Sequence, residues 1–494
     1  MRSMQRRLAA AALLAVLAFA GAGCGGGGSN SGATGSSGAA SLVSANAPVY
    51  FSVDTSLDSD QWKAFDSLLD KFPGKDKLLT ELRQSFESDT KVQWKTDVKP
   101  ALGSEIDVAA LDLEPGADVV GFLQPKDEDA FNRVVKKINA EAKKPSDKIY
   151  VLDYKGWKVI ADGQAKLDRF KQQAGSGEKL ADSSTFKDAT GSLSDKALVK
   201  VYANGRQISD RFRQVFPQLA SAGGASSIEW IAAELVAKDD GLSFDGSVKT
   251  HGKSKTKPYE AKLLGEVPSG AILYVSFNGN GQLQSQLQKA FRSGTGLLSP
   301  EAIPFLKLLQ RLGPLFAHEN AIYVRAGGAL IPEVTLIAQP DNTSQGVATI
   351  DKIVASFAKS FGLPLHPRPT TIAGAPFKEL SLGNVSLFYG ALDGKVVITD
   401  AQRGVSDLKG GGSKLKDDST FKDAKKVSGL PDQTSGFVYL DLKDAIPLLE
   451  SLVQLGGVKE PPEVSRNLRP LQSFTAWSTT DGDLRKFTVF LELK

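Results

Sequence analysis

Cys24 is the one thiol in 494 residues, and His251, His318 and His366 are the only imidazoles. Serine hydrolysis needs a histidine base and a zinc centre needs grouped His, Cys or carboxylate ligands, so these four residues bound most of the chemistry open to the chain. His251 sits in a polar, basic stretch and His366 between Pro364 and Pro367, and neither has a His or Glu at ligand spacing. His318 is followed directly by Glu319. That dipeptide is the candidate for an acid-base site, and it has no counterpart elsewhere in the chain.

Acid pairs need no histidine, because two carboxylates suffice for glycoside cleavage. Asp182 with Asp188, and Asp417 with Asp423, are the acids that recur. The simpler reading places Thr185 with Asp188, and Thr420 with Asp423, at helix N-termini, where hydroxyl and carboxylate meet free amides. Phe186 and Phe421 then bury, while Lys187 and Lys422 face solvent. Three other patterns fall short of a ligand site. Gly246 to Gly252-Lys253-Ser254 is one residue too long for a phosphate loop, and no apolar helix follows it. Gly279-Asn280-Gly281 precedes a helix carrying Leu283, Leu287 and Phe291, but Gln284 stands where a dinucleotide fingerprint needs its third glycine. Asp58-Ser59-Asp60 opens like a calcium loop until Trp62 and Lys63 replace the needed ligand and glycine. No metal and no cofactor is implied.

The elements that carry these residues begin with a leader. Basic Met1 to Arg7, apolar Leu8 to Ala20 and small residues before Cys24 form a three-part export signal over residues 1–23. The apolar stretch is too short for the ~20 residues that a spanning helix requires. Phe19-Ala20-Gly21-Ala22-Gly23-Cys24 resembles the lipobox of bacterial lipoproteins, with Gly21 in place of the usual Leu, and this makes Cys24 the expected lipidation site. Residues 24–40 are rich in Gly, Ala and Ser and read as a flexible tether. With Cys24 acylated, the exported body has no thiol left for a disulfide. The expected location is outside the cytoplasm, on the cell membrane through a lipid anchor.

Lys plus Arg is 60 and Asp plus Glu is 56, and three of the arginines fall in the leader. So balanced a body has no nucleic-acid footprint. Hydrophobic residues at 41% and charged residues at 23% are ordinary for a soluble globular chain.

The body repeats itself. Lys179-Leu180-Ala181-Asp182-Ser183-Ser184-Thr185-Phe186-Lys187-Asp188-Ala189 recurs as Lys414-Leu415-Lys416-Asp417-Asp418-Ser419-Thr420-Phe421-Lys422-Asp423-Ala424, with nine of eleven positions identical. Flanking segments match in the same order, among them Val119 to Pro125 with Val334 to Pro340, each ahead of an amphipathic helix. So long a period means a duplicated domain. Each half reads as strand, helices, hairpin, helix, hairpin, helix, capped turn, strand, helix and hairpin. The expected class is α+β, with antiparallel sheet covered by amphipathic helices in two homologous halves, 41–250 and 258–494, joined by a basic linker over 251–257.

Ser44-Ala45-Asn46-Ala47-Pro48-Val49-Tyr50-Phe51-Ser52-Val53-Asp54, with Asp97-Val98-Lys99-Pro100-Ala101-Leu102-Gly103, resembles the opening of the bacterial family called domain of unknown function 3352. The resemblance implies an exported, often anchored protein of the kind common in actinobacteria, and it implies no catalytic residues. Three functional readings follow: a non-catalytic envelope protein that binds or scaffolds, a carrier or receptor for an apolar or lipid ligand, and an envelope enzyme with a site near His318. The expected partners are the membrane, through the anchor, and an envelope protein or apolar ligand. Asp127, Glu128 and Asp129 form an acidic rim that suits a partner, or that simply caps the helix behind it.

Overall fold

A computed structural model describes residues 38–114, 116–215, 228–252, 256–279, 313–327, 332–362, 364–383, 385–455, 457 and 461–494. The leader, Cys24 and most of the tether lie outside the described residues, as do Lys253, Ser254, Asn280, Gly281, Gln284 and the helix expected around Leu283, Leu287 and Phe291. Those described fall into two compact units that divide after Gly252.

The first unit runs β1 (Val49–Asp54), α1 (Asp60–Leu69), α2 (Lys75–Thr90), β2 (Glu105–Ala110), β3 (Val119–Leu123), α3 (Glu128–Glu141), β4 (Tyr150–Tyr154), β5 (Trp157–Ala161), α4 (Gln164–Ala174), α5 (Ser184–Thr190), β6 (Val199–Asn204), α6 (Gly205–Val215), β7 (Ile228–Lys238) and β8 (Gly241–Thr250). Its strands pair in the order β8-β7-β6-β1-β2-β3-β5-β4, antiparallel throughout. The central strand β2 is buried from Ile106 to Ala109, as a strand covered on both faces must be. On α3, Phe131, Val134, Val135 and Ile138 turn to Ile106, Val108, Leu123 and Ile160, the face that the helical spacing of these residues predicts. A two-residue turn with Lys155 at φ 49° and Gly156 at φ 82° closes β4 on β5, the left-handed pair that matches strand twist.

The second unit contains β9 (Tyr259–Glu260), β10 (Ala271–Asn278), β11 (Glu319–Arg325), β12 (Glu333–Ala338), α7 (Thr343–Phe361), β13 (Arg368–Ile372), β14 (Ala375–Leu382), β15 (Val385–Leu392), β16 (Lys395–Thr399), α8 (Gln402–Lys409), α9 (Ser419–Ser428), β17 (Gln433–Thr434), β18 (Gly436–Asp441), α10 (Leu442–Leu455), α11 (Pro462–Leu468), β19 (Leu471–Asp481) and β20 (Leu484–Leu493). The order is β20-β19-β18-β10-β11-β12-β16-β15-β14-β13, again antiparallel, and β9 pairs with β17 separately. Through eight strands this matches the first unit position for position. What differs is the hairpin β13–β14, which lies outside β15 and which the sequence reading did not foresee.

Packing is repeated along with topology. Phe186 stands edge-on to Tyr50 and Tyr202, at 5.8 and 5.0 Å between ring centres, and those tyrosines face each other across β1 and β6. Phe421 meets Tyr439 at 5.1 Å, and Tyr439 faces Tyr274 across β18 and β10. Leu180 N–H donates to Val43 O at 2.8 Å, and Leu415 N–H to Val267 O at 2.8 Å. The repeated sequence is therefore a core contact, with Phe186 and Phe421 buried and Lys187 and Lys422 exposed.

Two boundaries differ from the sequence reading. Ala39 and Ala40, expected in the tether, are fully buried in a short 3-10 turn, so the fold begins by Gly38. Ala39 N–H donates to Asp107 Oδ2 on β2 at 3.1 Å, and this bond ties a stretch that reads as linker to the sheet. At the other end His251 and Gly252, expected in the linker, belong to the first unit.

Candidate functional site

Helix capping accounts for one of the acids singled out in the sequence. Asp127 is the N-cap of α3 and accepts from Ala130 N–H at 2.9 Å, and Asn342 does the same for α7, accepting from Gln345 N–H at 2.9 Å. Glu128 and Asp129 are exposed, and Lys158 Nζ lies 3.5 Å from Glu128 and 2.6 Å from Asp153 on β4. Ser59 caps α1 by accepting from Trp62 N–H at 3.3 Å, which explains Asp58-Ser59-Asp60 as a helix start.

The caps expected at the repeated acids are corrected. Helix α5 begins at Ser184, so Asp188 is its fifth residue, beyond reach of the free amides. Its carboxylate instead takes Trp230 Nε1–H at 3.1 Å and Lys249 Nζ at 2.7 Å, and the lysine holds it below the usual carboxylate range. In α9 the cap is Asp418, which accepts from Thr420 N–H at 2.9 Å, while Asp423 faces Lys494 at 3.9 Å. Asp182 is exposed, and Asp417 lies 3.7 Å from Lys422. Asp417 and Asp423 thus have separate partners.

His318 and Glu319 are not brought together. The His318 side chain is exposed with Nε2 3.0 Å from Asp341, whereas Glu319 is buried and accepts from Lys262 N–H and Leu263 N–H at 3.1 and 2.9 Å. Burial pushes the Glu319 carboxyl up, partly offset by those two amides. Its work is to hold the 3-10 turn Lys262–Gly265 against the sheet. His251 and His366 are exposed, and the nearest acid to His251 is Glu229 at 4.0 Å. Among the described residues no group of three or more His, Cys, Asp or Glu has metal-binding geometry.

The densest set of titratable groups was missed in the sequence. Asp107, Ser52, Lys200, Glu234 and Asp245 stand opposite one another across β2, β1, β6, β7 and β8, a polar row through one sheet. Asp107 is completely buried, and its Oδ2 accepts from Ala39 N–H at 3.1 Å. Glu105 lies on the same face two residues earlier, and a Cβ on Gly38 would come 2.5 Å from its Oε1, so a side chain there would displace that carboxylate. Burial, then the charge of Asp107, pushes Glu105 up to about 7, and burial also raises Asp107. These carboxylates can hold a proton at neutral pH beneath the backbone of Gly38 to Ala40. The row belongs to one unit only, for its counterpart in the other is Ala321, Ser276, Phe437, Trp477 and Thr488. A signal existed in Glu105-Ile106-Asp107, where two acids at strand spacing open an otherwise apolar run.

One more equivalence is informative. On α4, Arg169 pairs with Asp112 and with Asp118 at 2.7 Å, two acids on the connection between β2 and β3. On α8, Asp407 pairs with Arg325 of β11, which also meets Glu333 at 3.4 Å. On α8 Arg403 also lies 3.4 Å from Glu333, the acid that precedes Val334 as Asp118 precedes Val119, so in both units a basic residue of this helix holds that acid, and the second unit adds Arg325.

The family described as Protein of unknown function (DUF3352) matches over residues 8–177 and again over 171–493. The chain belongs to the DUF3352 family. The second matched region begins inside the first unit, which ends at Gly252, and takes in the whole of the second. No curated protein matches this DUF3352 chain. Among solved structures, crystal form IV of TP0453 is 15% identical, covering 46% of this chain and 77% of that one, at a TM-score of 0.23. Crystal form III of TP0453 is 13% identical over 46% of this chain and 91% of that one, at the same TM-score of 0.23. A shared fold is not established at that score.

Proposed function

We propose that this DUF3352 chain is an exported, lipid-anchored envelope protein that binds or scaffolds rather than catalyses, and that its two units arose from one duplicated domain. The observation that carries this reading is that the units repeat strand order and ring packing while the polar row of the first, Asp107, Ser52, Lys200, Glu234 and Asp245, is Ala321, Ser276, Phe437, Trp477 and Thr488 in the second, so among the described residues they share backbone architecture and core and no reactive set. Catalysis depends on the identity of its groups, whereas a scaffold depends only on complementarity between them. Two acids singled out in the sequence are engaged structurally, Asp127 on a helix amide and Asp188 on Trp230 and Lys249.

The anchor rests on the leader and on Cys24. No described helix is long and apolar enough to cross a membrane. Ala39, Ala40 and Val43 are fully buried immediately after the Gly- and Ser-rich stretch, which supports attachment of the body through that stretch. A partner would then be met by the body on the outer side of the membrane, with Glu128 and Asp129 at one rim. Fractionation of cells expressing the wild type and Cys24→Ala tests the reading. The variant is expected in the soluble fraction with the wild type in the membrane. Retention of both in the membrane would contradict the anchor.

A further inference from the structure

Strand β4 has β5 on one side and, among the described residues, no strand on the other. Its counterpart β15 is covered by β14, which runs antiparallel to it with Lys378 opposite Tyr389. Matching the turns Lys155-Gly156 and Asp393-Gly394 places Val151 where Tyr389 stands. The residues beside the turn form a hydrogen-bonded pair, so Val151 and Asp153 fall at the alternate positions and aim N–H and C=O at the open side.

Free edges are commonly blunted by proline. The outer strand β13 of the second unit follows this rule, with Pro369 at an outward-facing position, one step from the Thr370–Phe377 pair. Tyr150-Val151-Leu152-Asp153-Tyr154 has no proline.

Charge adds a second constraint. In the second unit Lys378 of the covering strand reaches Asp351 on α7 at 2.7 Å. Aligning the N-caps Asn342 and Asp127 puts Lys136 of α3 where Asp351 stands. Lys136 is exposed.

We propose that the β4 edge accepts an extended segment of another polypeptide, added antiparallel as β14 is added to β15, with a carboxylate facing Lys136. This deepens the binding reading above and rests on it. Main-chain bonds to Val151 and Asp153 supply the attraction, and the carboxylate selects the sequence.

The probe is the chain's own hairpin, a synthetic Arg368–Leu382 peptide carrying Lys378→Glu, labelled for fluorescence anisotropy and titrated with the full-length protein. The expected result is saturable binding, at least tenfold weaker for the unaltered peptide, with the preference reversed in a Lys136→Glu protein. N-methylation of the peptide at position 378 leaves the protein untouched and is expected to abolish binding. Equal binding of both peptides, or no saturable binding of either, would overturn the proposal. So would a dimer in sedimentation that the Lys378→Glu peptide fails to dissociate, since a second copy would then own the edge. Failure here leaves the Cys24 fractionation result unaffected, so the two readings fall separately.

Discussion

Glu105 ties protonation to stability most directly. The folded carboxyl keeps its proton up to about pH 7, against an ordinary glutamate value of 4.5, so its contribution is fully present below about pH 4.5 and is lost as pH rises through 7. Melting temperature is expected to fall between pH 5 and pH 8. Glu105→Gln should flatten that fall and stabilise the protein at pH 8 by about 1–2 kcal/mol, allowing for solvent screening of a half-buried group. A pH profile unchanged by the substitution would remove Glu105 as its cause. Phe186→Ala and Phe421→Ala each empty a buried ring site and should cost about 3–5 kcal/mol, read as a lower unfolding midpoint in denaturant. Both phenylalanines were legible in the sequence, because the repeat singled them out and burial follows from residue type. Asp188 was not. Its position relative to the helix start decides whether it caps, and an error of two residues there changes its partner from a backbone amide to Trp230.

At the scale of elements, short-range rules were readable and long-range pairings were not. Asp127 caps α3 as its place before an amphipathic run implies, and Asp127→Ala should lower stability by about 1 kcal/mol, while Glu128→Gln and Asp129→Asn should change it by less than about 0.5 kcal/mol. Thermal melts of the three single variants separate the cap from its neighbours. The hairpin β13–β14 escaped because its turn is Ala373-Gly374, with Ala373 at φ 49°, a conformation that the sequence signals with Asn or Asp. The ion pairs of Arg169 were equally hidden, since they join it to acids 51 and 57 residues away. Arg169→Asp would set three carboxylates together and should destabilise the first unit. Adding Asp118→Arg should recover part of the loss, an interaction that a double-mutant cycle in melting temperature measures.

For the whole molecule the repeat was the strongest signal, and its reading as α+β antiparallel architecture corresponds to what both units have. The sequence repeats at a period of over two hundred residues at Phe186 and Phe421 and at the turns Lys155-Gly156 and Asp393-Gly394, where ring packing and left-handed backbone restrict the residue. The polar row on β2, β1, β6, β7 and β8 was illegible because register across five strands brings together residues scattered from Ser52 to Asp245. The function proposed above is that of a scaffold held by lipid at Cys24. Mass spectrometry of the mature N-terminal peptide tests that claim most directly. The account predicts a chain that begins at Cys24 with acyl groups on it, whereas a mature chain that begins elsewhere, or that carries an unmodified Cys24 thiol, would contradict it.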